Sequence, residues 1–260
     1  MDVRMDGRKA LITGASRGLG YAMALKFAQS GADVAMVARR EDVLEKARAK
    51  IAEDTGRTIW ARSCDVADGD ALSNLHAVMV KEFGDADILV NNAGSSVSGP
   101  FEDITDEMWH QDLELKLFGA IRLARLCLPV MKTQRWGRIV NILNIGARAP
   151  KATGAPTQVT RAAGLALTKV LAGDGAPHGV LVNALLTGAI VTDQVMRRHE
   201  RSDGSLTLPE FVADAGKDIP IGRMGTAEEY ANVACFLASD AGSYVTGTAL
   251  NIDGGLSPII

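Results

Sequence analysis

The segment TGASRGLG, Thr13 to Gly20, carries the most chemistry for its length. Its glycines, Gly14, Gly18 and Gly20, follow a short apolar run, KALITG, and precede a helical pattern, LGYAMALKFAQSG. Glycine lets the backbone turn sharply and approach a pyrophosphate, which then rests on the N-terminal N–H groups of the next helix. Three glycines alone are a weak signal, but between a strand and a helix they point to a bound dinucleotide. A purely structural turn is the competing reading.

A second pattern lies at the end of the next apolar run, DVAMVAR. Dinucleotide folds that prefer NAD place an acid there to meet the ribose hydroxyls. This chain has Arg39 and Arg40 instead, with no acid before Glu41, and Arg17 lies inside the glycine loop. Guanidinium forks suit a 2′-phosphate through charge-assisted hydrogen bonds. The expected cofactor is therefore NADP(H), with Arg17 and Arg39 as its contacts. Solvated surface arginines are the alternative.

These segments need a frame to hold them. Short apolar runs alternate with helical patterns along the whole chain. Seven runs read as strands: KALITG, DVAMVAR, RTIWARSCDV, ADILVNNAG, GRIVNILNIG, GVLVNALLTG and TGTALNIDGG. The intervening segments repeat apolar residues at helical spacing, including one long helix expected over MWHQDLELKLFGAIRLARLCLPVM. Continuous apolar strands alternating with helices imply a parallel sheet covered on both faces. The expected fold class is α/β, a Rossmann-type doubly wound sheet of seven parallel strands, in one domain spanning residues 1–260. Residues 193–222 are looser and charged, and are expected to form either a substrate lid or a surface excursion.

Composition narrows the function classes. With 28 basic and 31 acidic residues, a net charge of −3 and 47% apolar content, the 260-residue chain shows neither a nucleic-acid surface nor a polybasic membrane anchor. Cys64, Cys127 and Cys235 are far apart and form no CxxC pair, and the histidines show no ligand spacing. No metal site is expected. The first residues are charged, with no apolar leader region, and no apolar run reaches membrane-spanning length. A cytoplasmic protein acting on a small molecule, without nucleic acid or membrane as partner, is the expectation.

Over nearly its whole length the chain resembles the short-chain dehydrogenase/reductase superfamily, with a pattern like that of the 3-oxoacyl reductases. TGASRGLG matches that family's glycine motif, CDVAD (64–68) its adenine-contacting segment, and NNAG (91–94) the motif behind the cofactor. GRIVNI, GVLVNALLTG and the run from IGRMG to NIDGG are also similar. The resemblance implies cofactor contacts from Gly14, Ser16, Arg17, Gly18, Leu19 and Gly20. It implies others from Arg39, Asp65, Val66, Asn92, Ala93, Gly94, Arg161, Gly188 and Thr192. It further implies assembly as a homotetramer or homodimer, which the apolar segments LALTKVLA and FGAIRLARLCLPVM permit.

The catalytic end departs from the family. Such enzymes use a serine, a tyrosine, a lysine four positions after it, and an asparagine in the long helix. The matching positions here hold Asn144, Thr157, Arg161 and Lys116, and Thr187 replaces the usual proline before Gly188. Threonine does not ionise near neutral pH and arginine does not give up its proton. Asn144 keeps a donor for a carbonyl oxygen. Two roles are open for Lys116: proton transfer, or an ion pair with a nearby acid such as Asp112 or Glu114. Tyr21, Tyr230 and Tyr244 lie outside the catalytic segment. The expected function is an NADP(H)-dependent oxidoreductase of a carbonyl/alcohol pair with a rearranged site. The alternatives are a non-redox enzyme on the same scaffold, or an inactive NADP(H)-binding sensor or subunit.

Overall fold

The computed structural model describes residues 3–202 and 204–260. In chain order it runs β1 (Lys9–Thr13), α1 (Gly18–Gln29), β2 (Asp33–Ala38), α2 (Glu41–Thr55), β3 (Ile59–Ser63), α3 (Gly69–Glu82) and β4 (Ile88–Asn91). There follow β5 (Ser98–Gly99), α4 (Asp106–Leu113), a π-helical turn (Glu114–Phe118), α5 (Gly119–Gln134), β6 (Gly137–Asn144), β7 (Ala155–Pro156), α6 (Thr157–Gly175) and β8 (Val180–Thr187). The chain continues through β9 (Ile190–Val191), α7 (Asp193–Glu200), α8 (Leu208–Gly216), β10 (Gly225–Thr226), α9 (Ala227–Ala238) and β11 (Ala249–Ile252).

Seven strands form one parallel sheet in the order β11-β8-β6-β4-β1-β2-β3, so the Rossmann-type doubly wound class holds. Its central strands are largely apolar because both faces are covered. In β1, Ala10 and Ile12 enter one core while Leu11 enters the other; in β2, Val34 and Met36 oppose Ala35 and Val37. Alternate side chains of a strand point to opposite faces, so a strand buried twice needs no polar alternation. Helices α1 and α9 complete one core, and α3 with α5 the other. From β1 the chain winds toward β3 in one direction, then returns to place β4 on the other side. That reversal opens a crevice beyond the C-terminal ends of β1 and β4.

Two segments differ from expectation. The long helix is interrupted, α4 and α5 being joined through the π turn that carries Lys116. Such turns are rare and tend to occur at functional sites. The segment expected to be loose holds two helices, α7 and α8. Thr192 caps α7 by accepting from Gln194 N, and Thr207 with Glu210 forms a capping box on α8. Val195, Ile219 and Met224 are buried together beneath them.

Candidate active site

A cleft of about 1010 Å³ follows the C-terminal edge of the sheet. Every residue expected to meet the dinucleotide lines it, from the glycine loop to Thr192. The glycine loop has little latitude. Gly14 and Gly18 have φ of +65° and +54°, where a side chain is strained. A Cβ on Gly20 would lie 2.2 Å from Gly14 O and 2.6 Å from Asn92 Nδ2. The Asn92 amide closes the loop onto β1, donating to Thr13 O at 2.9 Å and Gly14 O at 3.2 Å. The Thr13 hydroxyl returns the grip by accepting from Asn92 N and Ala93 N, each at 3.0 Å. The loop thus presents backbone at the start of α1, where N–H groups lack intrahelical partners and favour an anion.

The arginines beside this loop remain largely available. Arg39 approaches Asp65 only loosely, at 3.9 Å, and Arg17 lies 3.7 Å from Asp193. Arg39, Arg40 and Asp65 line the same end of the cleft. The residues present therefore fit a phosphorylated dinucleotide: a close-packed glycine cradle, an open helix N-terminus and guanidinium groups at the end of β2.

At the other end the four departing positions separate. Asn144 and Arg161 line the cleft, whereas Lys116 and Thr157 do not. Asn144 ends β6 beside Thr187 of β8, and its Oδ1 is buried with no hydrogen-bond partner. Arg161 donates to Ile142 O at 2.8 Å and leaves Nε unpartnered. Burial pulls the Arg161 pKa below its ordinary value, opposed by Tyr230 and Asp112, but a guanidinium remains a cation throughout the working range.

Lys116 and Thr157 belong to a sealed cluster behind the cleft floor. Lys116 Nζ forms an ion pair with Asp112 and donates to Thr157 Oγ1 at 2.8 Å. The side chains of Lys116 and Asp112 are only 3% and 2% exposed. Thr157 Oγ1 lies 3.3 Å from Asp112 Oδ1 and accepts from Val97 N at 3.0 Å. Burial lowers the Lys116 pKa, opposed by the hydrogen bond and charge of Asp112 and reinforced by Arg161. Asp112, not Glu114, is thus the partner; Glu114 instead accepts from Arg122 at 2.6 Å. Lys116 and Arg161 both line a cavity of about 20 Å³, about enough for one water.

Sequence reasoning missed one participant, Gln158, and the contact made by another, Thr187. Gln158 lines the cleft and accepts from Lys151 N at 2.7 Å, fixing the loop before α6. Thr187 also lines it and donates to Tyr230 OH at 2.8 Å. Tyr230 is fully buried and its pKa is raised by desolvation, so the phenol keeps its proton and points it at Leu185 O. It does not reach the cleft. Nothing in the local spacing signals either contact.

The fold and site define a nucleotide-cleft oxidoreductase class, and comparisons agree. A family model described as enoyl-(acyl carrier protein) reductase matches residues 14–257. The chain is similar to the 3-oxoacyl-[acyl-carrier-protein] reductase FabG of Haemophilus influenzae, at 34% identity over 97% of this chain and 99% of the relative. The structure of L-sorbose reductase from Gluconobacter frateurii, complexed with NADPH and L-sorbose, superimposes with a TM-score of 0.95 at 32% identity, covering 100% of both chains. An NADPH-bound short-chain oxidoreductase from Pseudomonas aeruginosa PAO1, described as containing an atypical catalytic center, gives 0.91 at 32% identity over 99% of both chains. The chain belongs to the short-chain dehydrogenase/reductase family. No helix among the described residues is long and apolar enough to cross a membrane.

Proposed function

We propose that this protein is an NADP(H)-dependent oxidoreductase of a carbonyl/alcohol pair, in which Asn144 addresses the substrate oxygen. The observation that carries the reading is one continuous cleft. It joins the glycine loop and the β2 arginines to an unpaired amide at the end of β6. The NADPH-bound relatives support the choice of cofactor.

In this reading the N-terminus of α1 receives the pyrophosphate, with Ser16, Leu19 and the loop glycines close around it. Arg17 and Arg39 hold the 2′-phosphate. Asp65 and Val66 face the adenine, while Asn92, Ala93 and Gly94 back the cofactor. Arg161 takes the nicotinamide ribose and Gly188 with Thr192 the carboxamide end. When bound, the cofactor supplies or accepts the hydride.

Asn144 donates from Nδ2 to the carbonyl oxygen, where negative charge develops during reduction. Thr157 has no proton to lend near neutral pH. Lys116 directs donors to Asp112 and Thr157, away from the cleft. We therefore assign Lys116, Asp112 and Thr157 a positioning role, fixing Val97 and the loop that enters β5. The alcohol takes its proton from cleft water. Helices α7 and α8 are the substrate lid. Exposed Phe118, Val159 and Val170 on the outer side of the α5–α6 region suit a homodimer or homotetramer.

The sealed cluster also favours a second reading, an NADP(H)-binding protein without turnover. One experiment tests both. NADPH is titrated by fluorescence, then its oxidation is followed with a carbonyl panel and the reduction of NADP+ with an alcohol panel. Binding with turnover is the expected result. Binding without turnover on any carbonyl or alcohol selects the second reading, and absence of binding removes both.

A further inference from the structure

The cleft is far more basic than the chain around it. Arg17, Arg39 and Arg40 line the dinucleotide end, and Lys151, Arg161, Arg197 and Arg198 line the remainder. Against these seven stand two acids, Asp65 and Asp193, in a chain with 28 basic and 31 acidic residues. Both acids approach the dinucleotide-end arginines, Asp65 at Arg39 and Asp193 at Arg17. Beyond them, no hydrogen bond or salt bridge among the described residues engages the side chains of Lys151, Arg197 or Arg198.

Neighbouring cations are committed elsewhere. Arg148 donates to Ala249 O at 3.1 Å, and His199 Nε2 meets Leu206 O at 2.8 Å with its ring edge-on to Phe211. The unengaged three sit on anchored backbone. Val195 buries α7 against Ile219 and Met224, and Thr192 caps its start. Lys151 is fixed through its own N–H and carbonyl, to Gln158 Oε1 at 2.7 Å and Gly154 N at 3.1 Å. Two elements far apart in sequence therefore bring unpaired cations to the cleft that holds the open Asn144 amide.

Concentrated like charge in a cleft raises the local concentration of an oppositely charged ligand, and low-dielectric walls strengthen the effect. Guanidinium and ammonium donors bind carboxylate or phosphate through charge-assisted hydrogen bonds. Resting on the reductase reading, we infer that the carbonyl substrate is itself an anion. Its carboxylate or phosphate is gripped by Lys151, Arg197 and Arg198 while its carbonyl meets Asn144. The anion of the cofactor's own phosphates is met at the other end, by α1 and the β2 arginines.

The test uses the NADPH-saturated protein. Malonate and inorganic phosphate, titrated separately by calorimetry, distinguish the two anions without requiring turnover. Binding of either is expected, weakened at high salt and weakened roughly 10- to 100-fold in R197M/R198M or K151M. In kinetics, 3-oxobutanoate or dihydroxyacetone phosphate is expected to surpass its neutral counterpart, methyl 3-oxobutanoate or dihydroxyacetone, roughly tenfold or more in kcat/KM. The variants should erase that preference while leaving NADPH affinity unchanged. Absence of binding by both anions, or loss of NADPH affinity in R197M/R198M, overturns the inference. Failure of NADPH to bind the wild-type protein overturns the reductase reading instead.

Discussion

Lys116 Nζ donates to Thr157 Oγ1 at 2.8 Å, and neither side chain lines the cleft that Asn144 and Arg161 share. Two positions that would form one proton path in the family pattern here face each other behind the floor. Removing one partner of a buried ion pair strands the other charge. K116M is therefore expected to lose about 3–5 kcal/mol of stability, read by urea unfolding. A paired D112L/K116M replacement should recover most of that loss, because no charge is left stranded. If K116M unfolds at the wild-type midpoint, the cluster does not hold the fold as described.

The Asn144 amide lines the cleft with its buried Oδ1 unpartnered. Deleting one preorganised donor to a developing oxyanion lowers kcat by roughly a hundred- to a thousandfold. N144A is expected to show such a drop with the NADPH dissociation constant unchanged. Equal turnover in N144A and wild type would remove Asn144 from the reaction.

Arg39 is expected to choose between the two dinucleotides. Losing a charge-assisted contact should weaken NADPH roughly 10- to 100-fold in R39A and leave NADH affinity as it was. Fluorescence titration of both cofactors decides this, and parallel losses for the two would show that Arg39 does not touch the 2′-phosphate.

The glycine loop predicts an order of severity. At Gly20 a Cβ would meet backbone at 2.2 Å, whereas at Gly18 the nearest atom is Thr192 Cβ at 3.6 Å. G18A carries the strain of a positive φ, roughly 1 kcal/mol, while G20A must displace the loop itself. G20A should therefore lose both NADPH binding and more thermal stability than G18A.

Cys127 sets an alkaline signature. It is 3% exposed between α5 and the sheet, and burial pushes its thiol from the ordinary value near 9 up to about 12. Below about pH 9 both folded and unfolded thiols are protonated and the group is neutral toward stability. Between about 9 and 12 only the unfolded chain releases the proton, so stability falls with a slope approaching roughly 1.4 kcal/mol per pH unit from this group. The slope in that window should be smaller in C127A, measured by denaturant unfolding across the range.

Much of the architecture is written locally. Strands buried on both faces are mostly apolar, so β1, β2, β4, β6 and β8 announce themselves, and Gly14, Gly18 and Gly20 mark a turn that tolerates little else. The helices at 193–222 are different. The capping signals at Thr192 and Thr207 are local, but α7 is held by burial of Val195 against Ile219 and Met224, more than twenty residues away. The π turn was hidden for another reason: a short apolar pattern does not distinguish i→i+5 from i→i+4 backbone hydrogen bonding.

Residue chemistry settled which reactions these side chains can support: Thr157 and Arg161 are poor proton donors in any fold, and Arg39 cannot serve as the acid that NAD-binding folds use. Direction was decided by packing. Lys116 and Asp112 are four residues apart and were always able to meet, yet Lys116 faces away from the cleft, where Thr157, 41 positions later in the chain, supplies its second acceptor. A buried ammonium goes where its donors are satisfied, and that place exists only once α6 lies against the π turn.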